Sequence, residues 1–210
     1  MSVSTVPRWA GIGLLVYTLA TLVAFMFSGA PGGDYADADV LAYIDPAHAV
    51  TAFVAWYVAA LGALALVVFG AGLRRLPGIG QPLAALATVG AALSVAGSLL
   101  AGGVAVGMLE GGAAVREQTP HTAVYLATEI GHLMAACGPA LCVGVIVIVL
   151  AMRGRMPIWL RVVAVFGGVC GILAPFYFTY FAYVLVMVVM SIAFLSGRAT
   201  RSRLPEPSIV

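Results

Sequence analysis

TAVYLATEIGHLMAACGPALCVGVIVIVLAM, residues 122–152, carries one carboxylate (Glu129), one imidazole (His132) and no basic side chain. About 20 apolar residues cross the ~30 Å hydrocarbon core of a bilayer as a helix, and this run exceeds that length. A transmembrane strand would show segments of ~10 residues with alternating polarity; here the apolar residues are continuous. Inside lipid every backbone donor and acceptor must be satisfied within the protein, so an isolated run of this kind reads as a helix.

The same reading applies at five other places, residues 10–28, 49–73, 83–109, 158–174 and 176–196. Composition agrees: 63% of the 210 residues are hydrophobic and only 9% are charged, too few charges to cover a water-soluble surface of this size. The expectation is an all-α polytopic transmembrane helical bundle of six spans. It forms one domain, residues 1–197, followed by a disordered cytoplasmic tail, residues 198–210. The first run is read as a span and not as a cleaved signal. Its apolar stretch outlasts the usual 7–15 residues, and Pro31 directly follows the small residues Ser28, Gly29 and Ala30.

Charge sets the orientation. All ten basic residues are arginine, and lysine is absent. Arg8 precedes the first run, Arg74 and Arg75 follow the second, and Arg153, Arg155 and Arg161 flank the turn between the fourth and fifth. Arg198, Arg201 and Arg203 follow the last. With six spans these nine share one side, and only Arg116 lies opposite. Cytoplasmic loops carry the excess of basic residues, so both termini are expected in the cytoplasm. Asp34, Asp37, Asp39, Asp45, Glu110 and Glu117 then lie outside. Trp9 and Trp159 read as anchors at the inner interface, with Trp56 and Tyr57 in the outer half of the second span.

The outer loop 29–48 contains PGGDYADADVLAYIDP, which reads as turn residues followed by a short helix over 36–44, capped by Asp34 or Asp37 and presenting Val40, Leu41 and Tyr43 to bundle or lipid. The second outer loop, 110–121, reads as polar and irregular. Small residues let membrane helices approach closely. Gly90, Ser94, Ser98 and Gly102 make such a stripe at spacing four, Gly103 and Gly107 a second pair, and Gly167 and Gly171 another; these mark the third and fifth spans as central. Pro139 removes a backbone donor in mid-span and is expected to kink the helix. Cys137, Cys142 and Cys170 lie within spans and imply no disulfide framework.

Taken together, DADVLAYIDPAHAV in the outer loop, GLRRLPG closing the second run, MPIWLRVVAVFGGV and the short basic tail resemble the small six-helix membrane proteins of bacteria with GC-rich genomes that are grouped under domains of unknown function. The resemblance implies the six-helix fold and a bacterial plasma-membrane address. It brings no catalytic residues.

Chemistry concentrates in the opening stretch. Thr122, Tyr125, Glu129 and His132 recur at steps of three, four and three, which places them on one helical stripe. Glu129 is the one acidic residue inside a span. A charge at the bilayer centre costs about 2.5–3.5 kcal/mol, and an intramembrane ionisable group is by default a candidate site facing the bundle or a wet cavity. Tyr177, Tyr180 and Tyr183 make a stripe on the last span, read either as an outer aromatic belt or as hydroxyls facing Glu129 and His132, with Thr51 and Tyr57 as further candidates. The pocket expectation is therefore Glu129, His132, Tyr125 and Tyr180.

Three readings of the pair compete: a hydrogen-bonded tether between helices, an outward pocket for a small solute, lipid or proton, and metal ligation by Glu-x-x-His, which calls for further carboxylates. No phosphate loop, HExxH, dinucleotide glycine pattern or lipidation motif occurs, and enzymatic chemistry is not expected. The leading function is an accessory membrane protein or a binder of a small apolar or lipid-like ligand. The alternatives are a small proton-coupled transporter using Glu129 and His132, and a metal- or haem-dependent membrane enzyme. Expected partners are the lipid bilayer, a small apolar ligand, and a second copy or another protein. Net charge +2 follows from topology and does not argue for nucleic acid.

Overall fold

The computed structural model describes residues 6–153 and 156–197. Nine helices are found among them: α1 (Arg8–Phe27), α2 (Asp37–Tyr43), α3 (Pro46–Ala63), α4 (Ala65–Leu73), α5 (Gly80–Glu110), α6 (Gly112–Gln118), α7 (His121–Arg153), α8 (Ile158–Ile172) and α9 (Phe178–Leu195). Five helices are long and apolar enough to cross a membrane: α1, the joined α3 and α4, α5, α7 and α9. The fifth expected span, 158–174, forms only the 15-residue α8. At 1.5 Å per residue it is about 22 Å long, short of the ~30 Å hydrocarbon core.

The helices pass back and forth along one axis, and their glycines show how. Gly72 of α4 faces Ala10 of α1, while Gly62 of α3 faces Ala20. Gly90 of α5 faces Cys142 of α7, and Gly97 faces Ala135 and Gly131. Gly171 of α8 faces Ala140 of α7, and Gly168 faces Gly144 and Ile148. Gly11 of α1 faces Ser191 and Phe194 of α9. Each of these pairs is antiparallel, and α9 against α1 closes a ring in the order α1, α3–α4, α5, α7, α8, α9. Despite its length α8 therefore returns along α7, and the two ends of the described chain meet, Gly197 beside the Arg8 guanidinium.

One end of the ring holds Arg8, Arg74, Arg75, Arg153 and Arg161, with the Arg75 guanidinium over the Trp9 ring. The opposite end holds Asp34, Asp37, Asp39, Asp45, Glu110 and Glu117, with Arg116 donating to the Met108 carbonyl. Arg155, Arg198, Arg201 and Arg203 lie outside the described residues, as do residues 198–210 as a whole.

The arginine half encloses the main core, where Leu14, Phe69, Ile146, Val147, Met187 and Phe194 are essentially dry. At the acidic end α5 and α7 outrun their neighbours. Glu129 and His132 lie toward this acidic end, more than 20 residues from Arg153 along α7.

Several local expectations are corrected. Residues 112–118 of the second outer loop are helical (α6), set off from α5 by Gly112 at φ 68°. The short outer helix is present as α2, but its N-cap is Ala36 without a side-chain bond; Asp45 instead caps α3, accepting from the Ala47 amide at 2.7 Å. Val40 and Tyr43 are buried while Leu41 is half-exposed, and the Tyr43 hydroxyl donates to the Ala101 carbonyl of α5 at 2.7 Å. The stripe Gly90, Ser94, Ser98 and Gly102 is buried, but Gly103 and Gly107 face open space. The central helix is α7, not α8: α8 packs its glycines inward and exposes Val162, Phe166 and Val169. Pro139 lies inside the continuous α7, a position compatible with the expected kink.

Candidate functional site

Glu129 and His132 lie one turn apart on the inner face of α7, where the chain 28–36 crosses the acidic end. Glu129 is half-buried and His132 is 8% exposed. The Tyr177 hydroxyl, at the start of α9, donates to Glu129 Oε1 at 2.7 Å. The other carboxylate oxygen, Oε2, is buried without a partner, and so is His132 Nδ1. Both face Gly32: a Cβ built there would lie 3.3 Å from Glu129 Oε2, 3.5 Å from the Tyr177 hydroxyl and 3.8 Å from His132 Nδ1. Glycine keeps this loop close over the three polar atoms without blocking them.

Aromatic rings wall the imidazole. Phe25 of α1 meets it edge-on at 5.0 Å between centroids, Trp56 of α3 at 5.6 Å and Tyr177 at 6.4 Å. Trp56 is 2% exposed, and its indole Nε1 lies toward the Tyr43 hydroxyl. A buried polar group lacking a hydrogen bond costs about 1–3 kcal/mol. Two of them side by side, a carboxylate oxygen and an imidazole nitrogen, form a local deficit that an arriving donor group would relieve.

The expected pocket residues fare differently. Tyr125 does not touch the carboxylate; its hydroxyl donates to the Gly33 carbonyl and its ring packs against Tyr35, so it pins the overlying loop. Tyr180 is buried and reaches the site through the Phe25 ring, 5.9 Å away. Tyr177, not Tyr180, supplies the hydroxyl. Thr51 and Tyr57 lie on the exposed face of α3, and Thr122 is exposed at the α7 start. The tyrosines of α9 turn inward, and Phe176, Phe178 and Phe181 form the exposed aromatic face instead.

Phe25 and Gly32 were not singled out by the sequence, and Trp56, expected as an interface anchor, is instead buried inside the bundle at 2% exposure. Trp56 had a signal: it falls on the stripe Ala49, Ala52, Ala59, Ala63, all fully buried, and small residues mark the packed face of a membrane helix. Below the site, the hydroxyls of Tyr17 and Tyr183 are buried and face each other. Beyond them toward the arginine end come Leu14, Val143, Ile146, Val147 and Met187, all at most 0% exposed. Ser191 is also there, with its hydroxyl bonded to the Met187 carbonyl. Among the described residues no three His, Cys, Asp or Glu side chains come together as metal ligands.

The loop over the site is clamped at both flanks. Gly29 adopts φ 58°, and a Cβ there would lie 2.5 Å from His48 Nε2, which bonds the Ser28 carbonyl at 2.9 Å. At the far flank Asp37 accepts from the Tyr35 hydroxyl and from His121 Nδ1, the latter at 3.0 Å. These bonds, Tyr35 first and His121 second, hold the Asp37 carboxyl below its ordinary range. A carboxylate with a lowered folded pKa contributes stability above its unfolded value, and that contribution is lost as pH falls through the folded one. Amide exchange in residues 29–36 should therefore stay slow at neutral pH and quicken only below about pH 4, the ordinary Asp range. Asp37→Asn should remove the acid response. A wild-type loop whose exchange, corrected for the intrinsic rate, is unchanged from pH 7 to pH 3 would show that this clamp does not hold it.

No protein-family model, curated protein or solved structure matches the chain, so its resemblance to small six-helix bacterial membrane proteins stands on its sequence motifs alone.

Proposed function

We propose that this chain is a non-enzymatic multi-pass protein of the bacterial plasma membrane, with six spans and both termini in the cytoplasm, that binds a small, largely apolar ligand at its outer end. The six-span reading draws support from the course of α8, which runs antiparallel to the arginine-end half of α7 as far as Ala140; residues 156–157 and 173–177 extend its reach. The arginine end is the cytoplasmic one by the positive-inside rule.

One observation carries the binding reading: Glu129 Oε2 and His132 Nδ1 are buried without partners beneath Gly32, beside the rings of Phe25, Trp56 and Tyr177. A tether between helices would use up these atoms, and only Oε1 is used, by Tyr177. A few convergent polar groups in an apolar wall is the usual make-up of a small-molecule site. The proton-coupled carrier fits less well, because a polar route inward from Tyr17 and Tyr183 meets the apolar layer of Leu14, Ile146 and Met187.

Native mass spectrometry of the full chain, extracted directly from its membrane into lipid nanodiscs, tests this. The expected result is a discrete non-phospholipid mass that disappears in Glu129→Gln/His132→Ala while the protein remains folded. A bare protein under the same conditions, or a bound mass indifferent to both substitutions, would count against the site.

A further inference from the structure

We infer that the ligand of this outer site is an organic cation: a protonated amine on an apolar body. This rests on the binding reading above and narrows it to a chemical class.

The argument begins with the sign of the surroundings. Seven of the eight acidic residues (all but Glu206) lie at this end, Glu129 among them, against Arg116 alone. A mouth lined by one sign of charge concentrates ligands of the other. Among the described residues no basic side chain pairs with Glu129, whose polar partner is a neutral hydroxyl, Tyr177, on Oε1. Oε2 is a buried acceptor with nothing to accept from. An anionic ligand would meet that oxygen by repulsion, and an ether or ketone brings no donor to it.

The second part is the set of acceptors within reach. Oε2 of Glu129, the Tyr177 hydroxyl and Nδ1 of His132 all face one spot beneath Gly32. With its proton on Nε2 the imidazole offers Nδ1 as an acceptor. An ammonium group has three donors and no acceptor, which suits two orphaned acceptors and a hydroxyl oxygen. Charge-assisted bonds from it to a carboxylate are about twice as strong as neutral ones.

The third part is the wall. Trp56, Phe25 and Tyr177 surround the spot, and aromatic faces attract ammonium groups, Trp best of all. The apolar body is accommodated by the same rings and by Tyr180, toward the bilayer interior.

The test uses the full chain in phosphatidylcholine nanodiscs with Trp9 and Trp159 replaced by Phe, so that emission reports on Trp56. Octylamine (protonated at pH 7), octanol and octanoate share one tail and differ in head group. Octylamine should change the emission saturably and bind at least about tenfold more tightly than octanol, a difference of ~1.4 kcal/mol. Octanoate should be weaker still. Glu129→Gln should erase the preference for the amine. Gly32→Val, in the loop and outside the spans, should weaken octylamine without lowering the unfolding midpoint, which guards against a Glu129 variant that merely misfolds.

Octanol or octanoate binding as tightly as octylamine, and saturably at Trp56, would overturn the cation class while leaving a real site. No saturable change with any of the three, together with no ligand mass in native extracts, would remove the binding function as well.

Discussion

Gly97→Leu is expected to abolish the folded bundle. Gly97 sits where α5 and α7 cross most closely. A Cβ there would lie 2.3 Å from the Ala135 amide nitrogen and 2.4 Å from the Gly131 carbonyl oxygen. These are backbone atoms, which cannot rotate aside as a side-chain tip would. Gly131 returns the constraint, its own added Cβ falling 2.7 Å from the Ala101 amide nitrogen. One turn away Ser94 donates to the Ala135 carbonyl at 3.0 Å, a bond between helices that needs the same approach. Overpacking a tight interior by a methylene or so costs about 1–3 kcal/mol; alanine should fall in that range. Leucine would force the central helix off its partner altogether. Gly103→Leu on the same helix, where nothing lies within 4 Å, should be tolerated. Size-exclusion profiles and unfolding midpoints of the purified variants decide it. A monodisperse Gly97→Leu protein with a wild-type midpoint would mean that α5 and α7 do not cross here.

The second large effect is expected at Trp56. Its indole is the largest fully buried side chain, and its neighbours in the same cluster are alanines: Ala24, Ala59, Ala101 and Ala135. These methyl groups are too short to swing in and fill the void an indole would leave. Truncating Trp to Ala in such a place costs about 3–5 kcal/mol. The loss is chiefly one of packing, with the indole contact to the Tyr43 hydroxyl removed as well. Trp56→Phe should keep most of the stability yet still remove the indole donor and weaken ligand retention. Chemical unfolding in mild detergent measures the first effect and native mass spectrometry the second. A Trp56→Ala midpoint equivalent to a loss below about 0.5 kcal/mol, the level of an ordinary surface change, would refute the packing account.

The passes of the bundle were legible in the sequence because a membrane helix announces itself by apolar length, which needs no knowledge of neighbours. What lies between them was harder. Residues 112–118 read as loop from Gly111, Gly112 and the charges, yet Ala, Arg, Glu and Gln are good helix formers, and α6 forms. Glu129 and His132 stood out because ionisable residues are scarce within spans. Their partners did not, since a helix that is apolar all round hides its own rotation. Tyr57 was chosen for its hydroxyl, but α3 turns that face outward and brings Trp56 in. Gly32 was beyond reach, because the position of a loop over a site follows from the clamps at Tyr125, Asp37 and His48, which pair residues as much as 92 apart.

The closing of the ring by α9 against α1 bears on how the chain is made. About 150 residues separate Phe27 from Phe178, and translation proceeds at about 5–20 residues per second. For roughly ten to thirty seconds α1 is in the membrane without its final neighbour, with Gly11 and Tyr17 turned to lipid. The phenol of Tyr17 then has no protein interior to enter. The packing of α1 is thus completed only when the last helix has been made.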